Sequence, residues 1–147
     1  MANEVSANIK DFIDNGLNSY LFKAMTDACA IVRNDAITRA PRKTGNLKRS
    51  IDFKVSEDGS EGVVFSKAKY APYIEVGTGK FAKEGNGRKT PWVYPCYITN
   101  ADIDNFKLDG KNGVRFFKTE GQKPRPFLEP ALTSNKSRIN KCFEGLF

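Results

Sequence analysis

Two glycine clusters, Gly77-Thr78-Gly79-Lys80 and Gly85-Asn86-Gly87-Arg88-Lys89-Thr90, hold the residue types that cradle phosphate groups. A phosphate-binding loop needs G-x-x-x-x-G-K-[ST], because successive backbone N–H groups must wrap the anion before the lysine reaches it. Neither cluster has that spacing. Phe81 follows Gly79-Lys80, Ile74 stands where the first glycine belongs, and Arg88 replaces the glycine before Lys89. The dinucleotide pattern fails too, for want of its third glycine. An exposed loop over residues 79–90 is the reading these residues support.

Other chemistry is equally short of parts. The chain has no His, so the usual general base for a Ser or Cys nucleophile is missing. Cys29, Cys96 and Cys142 are widely spaced, form no C-x-x-C pair, and read as reduced thiols rather than zinc ligands. Asp102 and Asp104 could begin a calcium loop, but Phe106 takes the third ligand position. Glu57, Asp58 and Glu61 crowd a turn, where carboxylates serve solvation. The expectation is a non-enzyme with no metal and no cofactor.

Charge is the stronger signal. The net charge is +7, and residues 41–55 carry +4 while 80–125 carry +5. Such an excess suits an anionic partner, nucleic acid or an acidic protein face, and equally a solvated surface. The run Arg39, Arg42, Lys43, Lys48, Arg49 has no interleaved aromatic residue, unlike Lys111, Arg115, Phe116, Phe117 and Lys118. Phe116 and Phe117 should point to opposite faces of a strand, leaving one for a partner contact. No stretch approaches the roughly 18 apolar residues that cross a bilayer. Met1-Ala2-Asn3-Glu4 lacks the features of a secretory signal, so a cytosolic start is expected.

The elements that must position these residues follow from periodicity. Val5, Ile9, Phe12, Ile13, Leu17, Tyr20, Leu21, Ala24, Ala28, Ile31 and Val32 recur at helical steps, predicting a helix over about 4–39 with a break at Asn15-Gly16. Pro41 ends it. Ile51, Phe53 and Val55 alternate with polar residues, and Gly62-Val63-Val64-Phe65 returns after the turn at residues 57–60, predicting a hairpin. Alternation over residues 70–79 permits a strand, yet Pro72 and Gly77 could open and close a short helical turn, the reading preferred here. Residues 91–119 read as a second, long hairpin, with Pro91 and Pro95 confining its first strand to an edge. Pro126 starts a last helix, over about 126–145, whose apolar face runs from Phe127 and Leu128 to Leu146. The prediction is one α+β domain spanning 1–147, with about four antiparallel strands over about 50–119 and the C-terminal helix packed on the sheet.

Three segments together resemble the tail-completion, or head–tail joining, proteins of long-tailed double-stranded DNA bacteriophages. Ala40-Pro41-Arg42-Lys43-Thr44-Gly45-Asn46-Leu47-Lys48-Arg49-Ser50-Ile51 is similar to A-P-x-x-T-G-x-L-[RK]-x-S-I. Tyr70-Ala71-Pro72-Tyr73-Ile74-Glu75-Val76-Gly77-Thr78 is similar to Y-A-x-Y-[IV]-E-x-G-T, and Pro124-Arg125-Pro126-Phe127-Leu128-Glu129-Pro130-Ala131-Leu132 to P-x-P-F-[LM]-x-P-A-[LF]. Residues 79–119 depart from the minimal pattern as a longer, more basic insertion.

The resemblance implies a structural virion protein acting as a ring subunit of the neck, six-fold in the assembled particle. Its partners would be further copies of itself, the head-completion or connector protein, and the tail-terminator or tail-tube protein. Genomic DNA would pass nearby without specific recognition, with no membrane and no small-molecule substrate. The chain would assemble in the host cytoplasm and end in the virion. Among motif residues, Pro41, Thr44, Gly45, Leu47, Ile51, Tyr70, Gly77, Thr78, Pro126 and Phe127 are expected to serve the fold. Arg42, Lys43, Arg49, Glu75 and Arg125, with Arg115 and Phe117, are expected to make contacts, since charges have no core role unless paired. The long hairpin would reach a neighbouring subunit. The alternatives are a tail terminator or minor tail protein, and a small basic nucleic-acid-binding protein.

Overall fold

Small side chains decide how the long helix is covered. In the computed structural model, which describes residues 12–42, 45–96, 108–109 and 115–146, a π-helical turn at Phe12–Leu17 leads into α1, Asn18–Arg39. The break expected at Gly16 takes the form of this widened turn. Val5 and Ile9 of the predicted stripe lie outside the described residues. The face that α1 buries is Ala24, Ala28, Cys29, Val32 and Ala36, continued by Ala40 beyond its end. Steps of four along one line put these side chains on one side, and their small size lets neighbours approach closely. Tyr20 extends the same line yet stays 40% exposed, covered only in part by the turn around Gly145. Ala40 leaves the helix in an extended conformation, as the residue before Pro41 must.

Contacts divide the chain into two compact units, Met1–Ala71 with Pro126–Phe147, and Pro72–Arg125. In the first unit a helical turn, α2 (Asn46–Ser50), precedes β1 (Ile51–Val55) and β2 (Gly62–Ser66), which pair antiparallel with Ile51 opposite Ser66. Both strands pack on α1. The connecting turn rests directly on the helix: Gly59 is buried at φ +71°, and a Cβ there would come within 2.7 Å of the Phe22 Cα.

The C-terminal segment forms α4 (Leu128–Thr133) and α5 (Lys136–Phe143), then a 3-10 turn, Glu144–Leu146; the label α3 is kept for the helix of the second unit, Ala71–Val76. Where the sequence suggested one helix from Pro126 lying on the sheet, both pieces pack chiefly on α1. Pro126 ends an extended run and Phe127, fully buried, caps the helix instead. Asn135 interrupts it. This buried residue donates through Nδ2 to the Ala131 carbonyl (2.8 Å) and to Asp35 Oδ2 (2.7 Å) on α1. A side chain that satisfies backbone groups this way competes with the helix. Leu132, expected in the apolar face, is 53% exposed.

In the second unit α3 is the short helix expected between Pro72 and Gly77. A 3-10 turn, Gly79–Phe81, follows it. Strands β3 (Trp92–Cys96), β4 (Leu108–Asp109) and β5 (Arg115–Thr119) form an antiparallel sheet in the order β3-β5-β4. The long hairpin therefore gains a third strand, making five strands in the two sheets rather than four. β3 is an edge strand, which is why it tolerates Pro95. Residues 97–107 and 110–114 of that hairpin lie outside the described residues.

Candidate interaction surfaces

The first motif splits into core and surface. Leu47 and Ile51 are 4% and 1% exposed. Ser50 ties them down, donating to the Leu47 carbonyl (2.6 Å) and sharing a hydrogen bond with Ser66 Oγ (2.7 Å). Arg33 Nε of α1 donates to the Ile51 carbonyl at 3.2 Å. Gly45 enters α2 at φ +78°, and Pro41 is half-buried. Of the expected contact residues, Arg42 stands exposed, whereas exposed Arg49 folds back to donate to Asn46 Oδ1. Lys43 and Thr44 lie outside the described residues.

The second and third motifs meet in the second unit. The Thr78 amide donates to the Gln122 carbonyl (2.9 Å), the Gln122 amide to Thr78 Oγ1 (3.0 Å), and the Arg125 amide to the Ile74 carbonyl (2.7 Å). Gly77 is buried at φ +76°, where a Cβ would lie 2.8 Å from the Gln122 carbonyl oxygen and 2.9 Å from Pro124 Cδ. Close packing thus explains Gly77, Gly79, Gly87 and Gly121, whereas Gly85 meets nothing within 4 Å and answers to its φ of +69°. The amides of Thr78, Lys80, Phe81, Ala82, Lys83 and Gly85 all donate to backbone carbonyls, so none of these is left to wrap a phosphate. Tyr70 is 45% exposed, Glu75 is half-buried and Arg125 exposed. Arg115 and Phe117 occupy β5 opposite Cys96 and Tyr94.

Two features escaped the sequence. The first is a polar clamp in the first unit. Asp35 accepts hydrogen bonds from Arg39 Nε (2.9 Å) and Asn135, and Arg39 also donates to Ser134 Oγ (2.9 Å). These bonds, with Arg39 foremost, hold the Asp35 carboxyl below its ordinary range. The second is a set of cations on aromatic rings in the second unit. Lys80 and Lys123 lie 5.1 and 5.8 Å from the Phe81 centroid, and Arg88 lies 5.7 Å from that of Trp92. The Arg88/Trp92 pair is four residues apart and could have been noticed. Lys123 is remote in sequence from Phe81 and could not.

An apolar cleft of about 300 Å³ opens in the first unit, lined by Met25, Val32 and Val64 among others, with Leu132 at its rim. Buried Cys29 lines it, and burial pushes its thiol pKa up, away from the reactive thiolate. No helix among the described residues is long and apolar enough to cross a membrane.

Residues 3–77 match a family model described as "Bacteriophage HK97-gp10, putative tail-component". That span contains the whole first motif and the second as far as Gly77. No curated protein and no solved structure matches the chain.

Proposed function

We propose, because this chain belongs to the HK97-gp10-like family of bacteriophage tail components, that it is a ring subunit of the phage neck, completing the tail and joining it to the head. Membership makes it a structural component of the virion. The finer role is supported by one observation above all. The same motifs bury Leu47, Ile51 and Phe127 while leaving Arg42 and Arg125 exposed. A rigid core thus presents charges on its surface, which is what repeated subunit and partner contacts need. Copies joined head-to-tail close a ring, whose two faces meet the head connector and the tail end, and no catalytic step is assigned.

A phage deleted for this chain tests the role. A joining subunit predicts DNA-filled heads and tails of normal length that stay separate. Overlong tails would make it a tail terminator, and infectious particles of normal appearance would overturn the proposal. Charge reversal at Arg42 and Arg125 should lower the yield of joined particles at least about tenfold, on the scale of about 1.4 kcal/mol of binding energy per tenfold.

A further inference from the structure

We propose that the cationic surface around Phe81 and Trp92 is a contact for the phosphate backbone of double-stranded DNA. The inference rests on the ring reading, which places DNA beside every copy, and narrows the contact to one surface of the second unit.

Between Gly79 and Trp92 four cations, Lys80, Lys83, Arg88 and Lys89, accompany one carboxylate, Glu84. Lys123 joins them on the Phe81 ring. Close packing draws the loop together: a Cβ at Gly87 would lie 2.8 Å from that of Ala82, which brings Arg88 to the same turn as Lys80. Arg88 is further fixed by Thr90 Oγ1 at 3.2 Å, and Lys89 by the Gly85 carbonyl at 2.7 Å. Among the described residues Lys80 pairs with Glu120, while Arg88, Lys89 and Lys123 have no ion-pair partner. Aromatic rings and carbonyls hold these charges in place without neutralising them.

That arrangement suits phosphate better than an acidic protein. Lysine is depleted at protein–protein interfaces, whereas phosphate contacts take it readily and need no base-reading element. In the other basic segment, Arg49 is turned onto Asn46 and Lys48 Nζ donates to the Thr38 carbonyl at 3.5 Å.

The test is fluorescence anisotropy of the full chain on a labelled mixed-sequence duplex of about 30 base pairs, from about 50 to 200 mM NaCl. The variant R88E/K89E/K123E should weaken binding at least about tenfold and flatten the salt dependence by roughly 0.9 for each phosphate no longer neutralised. The control K69E/K136E/K141E removes equal charge from exposed positions of the first unit and should leave the slope unchanged. The neutral variant R88Q/K89Q/K123Q, with circular dichroism matching wild type, should fall between. Equal weakening by both charge-reversed variants, or no wild-type binding, would overturn the proposal. So would unchanged DNA affinity with failed capture of a neck protein, which would assign the surface to an acidic protein partner. Particles that still carry this chain at the neck while the purified protein ignores DNA would sink this inference alone and leave the ring role standing.

Discussion

Each of the two units is held together internally by different physics. The first is an apolar assembly: small residues on α1, with Ile51 from β1 and Phe127 before α4, exclude water over a continuous interior. The second is held by backbone hydrogen bonds and close glycine packing between residues 74–81 and 120–125, with cations on its outside. Cores of the first kind are sensitive to volume, and frameworks of the second kind to backbone conformation.

Five substitutions sharpen or break this contrast. Phe127→Ala empties a fully buried site and should cost about 3–5 kcal/mol, measured by urea denaturation. A loss under about 1 kcal/mol would mean that residue 127 is not the core wedge. Gly77→Ala forces a side chain to φ +76° against Gln122 and Pro124. Its expected cost is about 2–4 kcal/mol, with hydrogen exchange accelerating first at the Thr78 and Lys80 amides and β1 protection retained. Uniform acceleration would erase the distinction between the units.

Asn135→Ala removes the clamp joining α1 to the break between α4 and α5, and should cost about 1–3 kcal/mol. A second change, Asp35→Ala, should add less in that background than alone, because the two share one hydrogen bond. Additive losses would count against the clamp. The smallest effect concerns the β1–β2 turn, where Asp58 accepts hydrogen bonds from Ser56 Oγ and Ser60 Oγ, both at 2.7 Å. These lower its pKa from 3.8 to about 2. A depressed carboxylate contributes stability above its unfolded value and loses it as pH falls through the folded one. The loss should thus lie between about pH 4 and pH 2, and Asp58→Asn should flatten acid unfolding in that window. A titration of Asp58 at its ordinary value, seen by NMR, would contradict the turn geometry.

How far the sequence could be read follows the same division. Period-four and period-two patterns exposed α1, β1 and β2, because burial on one face leaves a trace in residue type. Pro72 and Gly77 likewise announced α3. The break at Asn135 was hidden, since its cause is a bond to Asp35 on a distant element. Tyr20 and Leu132 looked like core and are half exposed, because their positions fall where little packs over them. In the second unit residues 79–90 suggested an exposed loop, yet its first residue, Gly79, is buried by the pairing of residues 78–80 with 120–122. Pairing between remote segments leaves no local period. The cation set around Phe81 was missed for that reason, while Arg42 and Arg125 were legible as charges within motifs.

The most direct test of the account is the copy number and position of this chain in purified particles, by quantitative mass spectrometry with antibody-labelled electron microscopy. The account predicts a small fixed number of copies, about six as in a closed ring, confined to the junction of head and tail. Absence from particles, or labelling spread along the tail, would contradict it.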